Sequence, residues 1–297
     1  MTVVRVSIPL RRRATIVFAA ASAAIGKGCA DFAAAIAIAV ALLLPTSAPA
    51  APASVFLEDL TWPELREAQH AGKTTIIIPV GGTEQSGPVL ALGKHNVRVQ
   101  ILAGRIAEAL GNAIVAPVVS YVPEGSITPP AGHMRFPGTI SIPDSTFQSL
   151  LESAARSFKQ GGFVDIVLIG DHGGYQSQLK TVAQHLNKEW AATGTRAHFI
   201  DEYYRVTQTA FVQALRAKGL TPAQIGEHAG SSDTSLMLAT NPALVRPEAY
   251  EKAAREAPGN GVNGDPRASS VALGQAGVEL IVTRSVAAIR QATTARQ

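Results

Sequence analysis

Short apolar runs alternate with helical patterns along most of this 297-residue chain. The apolar runs are rich in β-branched residues and too short for helices, so they predict strands; they lie at 74–80, 113–119, 139–142, 164–169 and 197–200. Apolar residues at helical spacing predict helices at 97–110, 144–160, 176–190, 206–218 and 271–292. This alternation favours an α/β fold with three layers, α/β/α, around a mostly parallel central sheet.

The first fifty residues differ from this pattern. Arg11-Arg12-Arg13 precedes Ala-rich apolar runs, and residues 45–50 end in the Ala-x-Ala pattern that signal peptidase cleaves. We therefore expect an export signal over residues 1–50, cleaved after Ala50, and a single domain over residues 51–297. The expected location is the periplasm, with an uncleaved N-terminal membrane anchor as the alternative and no other membrane contact.

The same segment accounts for most of the net charge. The whole chain has 26 Lys and Arg against 22 Asp and Glu, and 21 of each remain after residue 50. A nearly neutral domain has no basic character that would favour nucleic acid, so we expect a small-molecule partner instead. The single cysteine, Cys29, also lies in the segment, so the domain must be stabilised by its core rather than by disulfides.

Polar clusters follow two of the predicted buried strands. Glu84 and Ser86 lie in the Gly-rich loop after 74–80, and Asp171-His172-Gly173-Gly174 follows 164–169. The carboxyl ends of parallel strands share one edge of a sheet, so these residues should converge. A third cluster contains Glu227, His228 and Asp233. Carboxylates and imidazoles together suit a divalent metal such as zinc, although the spacing matches neither His-Glu-x-x-His nor a cysteine pair.

Structural roles compete with these assignments. Glu84 could cap the following helix, and Asp233 could be a helix N-cap because Asp-Thr-Ser precedes an apolar run. His133 lies in the long Pro- and Gly-rich loop 121–137, where ordering the loop or supporting the site suits it better than binding metal. Ser86 lacks the Gly-x-Ser-x-Gly turn that would favour a nucleophile.

Five ordered motifs resemble those of the creatininase family of metal-dependent amidohydrolases. Residues 79–88 resemble P-x-G-S-x-E-Q-H-G-P, and residues 133–141 resemble H-x-x-F-P-G-T-I-S. Residues 171–174 align with G-H-G-G, with Asp171 in place of the first glycine; residues 228–235 resemble H-A-G-x-x-E-T-S, and residues 264–266 match G-D-P. The resemblance implies hydrolysis of a cyclic amide or related C–N bond by metal-activated water. It also implies a homo-oligomer, since family members tend to be hexamers.

The resemblance further implies a set of metal ligands. Family members typically bind two metals; of the positions involved, Glu84 and His172 are unchanged, whereas Ser86, His95 and Asp233 replace a His, an Asp and a Glu. A carboxylate can bridge two cations, but a neutral imidazole offers one nitrogen to one metal. We therefore expect one tight metal, bound by Glu84, His95, His172 and Asp233. Zinc is the expected ion, with manganese or iron as alternatives.

The remaining motif residues are expected around this metal. The Glu-His pair before Ala-Gly implies Glu227 and His228 as the proton-transfer residues. Residues expected behind the ligands or near the substrate are Ser86, His133, Asp171, Gly173 and Gly174; Asp171 is also a candidate replacement carboxylate. The alternative function is a non-catalytic protein that binds a small molecule or metal outside the cytoplasm, and whether His95 points into the site distinguishes the two.

Overall fold

The computed structural model describes residues 54–294, all within one compact unit spanning residues 53–297. The predicted export signal and its cleavage site at Ala50 lie outside the described residues.

Four parallel strands form the central sheet. They are β1 (Thr75–Val80), β2 (Ala113–Val115), β3 (Asp165–Gly170) and β4 (Arg196–Phe199), in the spatial order β2-β1-β3-β4. Thr75 pairs with Asp165 at one end of the β1–β3 ladder, and Val80 pairs with Gly170 at the other. The loops that follow β1 and β3 therefore leave the sheet side by side, as the sequence predicts.

Helices cover the sheet and extend beyond it. They are α1 (Trp62–His70), α2 (Lys94–Leu110), α3 (Asp144–Gln160), α4 (Gln176–Glu189), α5 (Glu202–Gln208), α6 (Ala210–Ala217), α7 (Pro222–Ile225), α8 (Ser231–Thr240), α9 (Tyr250–Glu256) and α10 (Val271–Thr294). Short 3-10 turns lie at Leu57–Asp59, Gly132–Arg135, Gly173–Tyr175, Pro242–Leu244, Pro247–Ala249 and Pro266–Ala268.

The side chains of β1 alternate between two hydrophobic cores, one on each face of the sheet. Ile77 belongs to the core that contains Leu102 of α2 and Ile281 of α10. Ile76 belongs to the core on the opposite face, which includes residues of α3 and α4. Since successive strand residues point to opposite faces, a fully apolar β1 requires helices on both sides. The predicted three-layer α/β/α fold is confirmed.

Two predicted strands differ in the structure. The run 113–119 forms a strand only at Ala113–Val115, because Pro117 has no N–H for the ladder; pairing returns as an isolated bridge between Val119 and Val80. Residues 139–142 do not join the sheet. The N–H of Ile140 donates instead to the carbonyl of Thr83 in the loop after β1, which anchors the two loops to each other.

Several helix boundaries also differ. The helix predicted at 97–110 begins three residues earlier, at Lys94, and the one predicted at 206–218 is divided where Thr209 leaves helical geometry (φ −123°, ψ −90°). The short helices α1 and α9 are additional; a Thr61–Glu64 capping box begins α1. The earlier start of α2 places Lys94 and His95 on a helix rather than in a loop.

The last helix, α10, is long and apolar enough to cross a membrane by length and composition, with a mean hydropathy of 1.3 in an 18-residue window. Core helices of soluble folds have the same character. In this structure α10 packs against α8 so closely that a Cβ on Gly274 would collide with the carbonyl oxygen of Ser235.

Candidate active site

A cavity of about 450 Å³ opens where the loops after β1 and β3 leave the sheet. Its lining includes residues from all three polar clusters: Glu84, Asp171, His172, Glu227, His228 and Asp233. This volume is typical of sites for small molecules. The clusters that the sequence singles out therefore meet in one small-molecule-sized cavity.

Glu84 lies at the centre of these residues with its side chain fully buried. Its Oε1 is 2.7 Å from Nε2 of His95 and 3.4 Å from Nζ of Lys94. Its Oε2 has no hydrogen-bond partner among residues 54–294. Burial opposes the charge, but Lys94 and His95 together lower the pKa of Glu84, so it is ionised at neutral pH. One of its oxygens is thus paired, and the other is open to a ligand.

A second buried carboxyl, that of Glu124, lies close to Glu84, with an oxygen from each within 4.8 Å of the other. Only 6 % of Glu124 is exposed, and within the described part of the chain neither of its oxygens has a hydrogen-bond partner. Gly82 makes room for it, since a Cβ there would lie 2.7 Å from Oε1 of Glu124. Burial and the charge of Glu84 raise the pKa of Glu124 to about 9. Two buried carboxyl groups this close need a proton or a metal cation between them.

His172 joins this carboxyl pair. Glu84, Glu124 and His172 each offer a ligand atom, and the three atoms lie within 4.8 Å of one another. Two carboxylates and an imidazole are donors that both zinc and manganese accept. Burial lowers the pKa of His172 to about 4, so its ring is neutral. Its Nδ1 accepts from the N–H of Gly174 at 3.2 Å and lies 3.6 Å from Oε2 of Glu124, and its Nε2 lies 3.5 Å from Oε2 of Glu84. The residues present therefore fit one divalent cation.

A second group of possible ligands consists of Glu84, His133 and His228. Gln85 orients both imidazoles. Its side-chain Nε2 lies 2.8 Å from Nδ1 of His133, and its main-chain carbonyl oxygen lies 2.8 Å from Nε2 of His228. A carbonyl oxygen can only accept, so His228 carries its proton on Nε2 and a lone pair on Nδ1. Burial, followed by the charge of Lys94, lowers the pKa of His228 to about 3. His228 is thus a neutral base beside Glu84.

His95 points into the site, but it does not belong to either group of possible ligands. Its Nε2 faces Glu84 at 2.7 Å, and its Nδ1 faces Oδ1 of Asp171 at 2.5 Å. With a carboxylate at each nitrogen, the ring donates from both and is an imidazolium. Burial and Lys94 lower the pKa of His95, but the hydrogen bonds to Asp171 and Glu84 outweigh them and raise it. In this arrangement His95 is placed as an ion-pair partner of Glu84 and Asp171.

Asp233, the fourth expected ligand, lies in the first turn of α8 and also pairs with cations. Its Oδ2 accepts from Nζ of Lys94 at 2.6 Å and its Oδ1 from Nη1 of Arg98 at 2.5 Å. It also accepts from the N–H of Ala229 at 3.2 Å. Burial opposes its charge, but Lys94 and Arg98 hold the pKa of Asp233 well below its usual range. Like His95, it is placed as an ion-pair partner.

Asp171 has a similar role. It accepts hydrogen bonds from His95, from Nε of Arg98 at 2.9 Å and from the hydroxyl of Tyr203 at 2.8 Å. Despite its burial, Arg98 lowers the pKa of Asp171. Its oxygens are therefore committed to holding His95 and Arg98, rather than replacing a metal ligand.

The remaining expected residues differ in how deeply they are buried and in what they contact. Glu227 is exposed and its carboxylate meets the side chain of Asn263 at 3.4 Å, so it is Gln85 that orients His228. Ser86 is fully buried beside Gly87. The two glycines allow close approach: a Cβ on Gly173 would lie 2.5 Å from the hydroxyl of Tyr204, and one on Gly174 would lie 2.9 Å from Cε1 of His172.

Sequence reasoning missed Glu124, Lys94, Arg98 and Gln85. Lys94, His95 and Arg98 have the i, i+1, i+4 spacing that places side chains close together on a helix. This spacing indicates a basic cluster only when the helix begins at Lys94. Cations in a first turn are unfavourable for the helix dipole, which points to partners elsewhere. Glu124 had no local signal beyond its position in the long loop 121–137.

Comparisons with known proteins identify the family of this chain. The model of the creatininase family, described as creatinine amidohydrolase, matches residues 58–289. Creatinine amidohydrolase of Pseudomonas putida is 29 % identical over 197 residues, covering 65 % of this chain and 74 % of that protein. The mycofactocin precursor peptide peptidase of Mycolicibacterium smegmatis is 32 % identical over 130 residues, covering 42 % of this chain and half of the peptidase.

Solved structures give the same result. A mutant creatininase of "Zn-Zn type" is similar at a TM-score of 0.67 and 25 % identity, covering 81 % of this chain and 98 % of that one. A structure described as "Creatininase Mn" is similar at a TM-score of 0.65 and 25 % identity, covering 81 % and 99 %. These neighbours support a hydrolase with a divalent metal, and the match over residues 58–289 shows that this chain belongs to the creatininase family.

Proposed function

We propose that this protein is a single-metal hydrolase that cleaves a cyclic amide or a related C–N bond of a small molecule. The observation that carries the proposal is a buried carboxyl pair beside His172, in which no N–H or hydroxyl of the described chain donates to Oε2 of Glu84 or to either oxygen of Glu124. A buried carboxylate oxygen that lacks a partner is costly unless something binds it. Together with His172, these oxygens favour one divalent cation.

The ligands we propose are Glu84, Glu124 and His172, which revises the set expected from the sequence. Two carboxylates neutralise a divalent charge, whereas Glu84 with His133 and His228 would leave an excess positive charge in a buried site. The latter group would also occupy the free Nδ1 of His228. Zinc and manganese both suit the proposed donors, and both occur among the solved neighbours. When bound, such an ion polarises the substrate carbonyl and acidifies water.

His228 is proposed to move the proton. Its Nδ1 carries the lone pair and lies 3.6 Å from Oε1 of Glu84, at the wall of the cavity. It can therefore take a proton from the attacking water and return it to the leaving nitrogen. Gln85 keeps the ring in this tautomer by accepting from Nε2. Glu227, which lines the cavity with its carboxylate 3.4 Å from Nδ2 of Asn263, is the second candidate for proton transfer.

The class of bond rests on the relatives. Creatinine amidohydrolase favours a cyclic amide, and the precursor peptide peptidase makes a peptide amide the alternative substrate. A purely binding role, for a small molecule or a metal, is the alternative function. We also propose export, with cleavage after Ala50, and assembly of identical chains.

A substrate screen tests the proposal. Residues 51–297, loaded with zinc or manganese, are incubated with lactams, linear amides and formamides, and amine release is measured. We expect hydrolysis that EDTA abolishes and metal restores. The Glu84→Gln protein, which keeps the shape of the side chain but removes its charge, should be inactive. Binding of zinc without hydrolysis of any compound class would instead favour the binding-protein alternative.

A further inference from the structure

Lys94 is a lysine whose ammonium is buried inside the candidate active site. Its side chain is 1 % exposed, and Nζ lies 2.6 Å from Oδ2 of Asp233 and 3.4 Å from Oε1 of Glu84. A buried ammonium is costly unless carboxylates surround it, and here two do. Lys94 thus joins the first and third polar clusters through one positive charge.

Two further cations lie on the same turn of α2. His95 connects Glu84 with Asp171, and Arg98 connects Asp171 with Asp233. Lys94 closes the ring between Asp233 and Glu84. We call these three basic side chains and three carboxylates the α2 charge ring: Lys94, His95, Arg98, Glu84, Asp171 and Asp233.

The α2 charge ring and the proposed metal ligands meet at Glu84 and use different oxygens. Oε1 of Glu84 pairs with Lys94 and His95, whereas the neighbours of Oε2 are Nε2 of His133 at 3.4 Å and Nε2 of His172 at 3.5 Å. A divalent ion on the Oε1 side would have to displace the buried ammonium of Lys94, whereas the two imidazoles beside Oε2 are themselves possible metal ligands. The two sides of Glu84 therefore differ in whether a metal can enter.

We propose that the α2 charge ring, and Lys94 above all, occupies a second cation position beside Glu84, so that the protein holds one divalent ion where a Zn-Zn neighbour holds a pair. This inference rests on the proposed function, because it assumes that the first ion binds at Oε2 of Glu84. Removing a ring cation should open the second position. Without Lys94, Oε1 of Glu84 keeps only His95 beside it and Oδ2 of Asp233 keeps only the N–H of Ala229. Without His95, Oε1 of Glu84 keeps only Lys94, and Asp171 keeps Arg98 and Tyr203.

The test counts bound metal ions by native mass spectrometry after saturation with zinc and removal of free ion. We expect one ion per chain for the unaltered protein, and two for Lys94→Met and for His95→Asn. Lys188→Met, which removes an exposed lysine on α4, should leave the count at one. Both ring variants remove a neighbour of Oε1 of Glu84, so His95→Asn decides the question if Lys94→Met does not fold.

The outcomes separate the two proposals. No zinc on the unaltered protein would refute the proposed metal site. Two ions on the unaltered protein, or one ion on both folded ring variants, would overturn the inference while leaving the metal site in place. A second readout is melting temperature: metal-free Lys94→Met should melt lower than the unaltered protein, and zinc should raise its melting temperature more. Equal zinc-induced shifts would also overturn the inference.

Discussion

Nε2 of His95 lies 2.7 Å from Oε1 of Glu84, in the first turn of a helix that points into the cavity. Sequence position suggests that this imidazole binds a metal beside Glu84. The second contact of its ring, to Asp171 at 2.5 Å, changes that interpretation, because a ring held by two carboxylates is a cation. Glu84 is therefore shared: one oxygen belongs to a network of side-chain charges, and the other is free for a metal.

Arg98 should be essential to the stability of this network. The Arg98→Met substitution removes the partner of buried Asp171 and Asp233, and breaking a buried ion pair in this way costs about 3–5 kcal/mol. The free energy of unfolding, measured by urea denaturation, should fall by that amount. Arg156→Met is the control: Arg156 is 41 % exposed, pairs with Glu152 and Glu189, and should cost less than about 1 kcal/mol. Equal losses would contradict the account.

Zinc affinity should rise with pH. The pKa of Glu124 is raised to about 9, so at neutral pH a metal must displace its proton. Release of one proton predicts a gain of about tenfold in affinity per pH unit up to about pH 9. His172, with a pKa lowered to about 4, is already neutral in this range and adds no slope. Isothermal titration calorimetry with a chelator competitor measures the dependence.

The Glu124→Gln protein provides the matched comparison for that dependence. The amide is similar in shape but has no proton to displace, so the slope with pH should disappear. Loss of a carboxylate at the metal should also weaken zinc binding by about 10- to 100-fold or more. An unchanged slope in this variant would mean that another group releases the proton.

His228 should act on turnover and not on metal binding. His228→Asn removes the lone pair on Nδ1, and loss of a proton-transfer group typically lowers kcat by about 10²- to 10⁴-fold. Zinc affinity should stay the same, because His228 is outside the proposed ligand set. His185→Asn is the control, since that ring is 57 % exposed and pairs with Glu152 on the surface. A large loss of zinc from His228→Asn would instead favour Glu84, His133 and His228 as the ligands.

The site could be located in the sequence because its polar residues follow the ends of predicted strands. Glu84 and His172 follow strands that pair in register, so their convergence could be predicted from apolar runs alone. The three-layer architecture could be predicted equally well, because the continuous burial of β1 requires helices on both faces of the sheet. Boundaries were predicted less well where a single residue decided them, as Pro117 and Thr209 did.

The chemistry inside the site was harder to predict, because it depends on which atom each side chain presents. His95 stands at a ligand position, but the proximity of Asp171, 76 residues away in sequence, makes it a cation. The sequence predicts that this helix begins at Val97, so it does not indicate that Lys94 is a helical residue. Glu124 acquires its role from the space that Gly82 leaves, and no local pattern encodes such a contact.

Anomalous diffraction from zinc-soaked crystals, recorded at the zinc edge, tests the central claim most directly, because it locates the ion without reference to activity. The account predicts one strong peak per chain, bound by Glu84, Glu124 and His172, with Lys94 and His95 still on the other oxygen of Glu84. A peak bound by His95 or Asp233, or two peaks of equal strength on either side of Glu84, would contradict it.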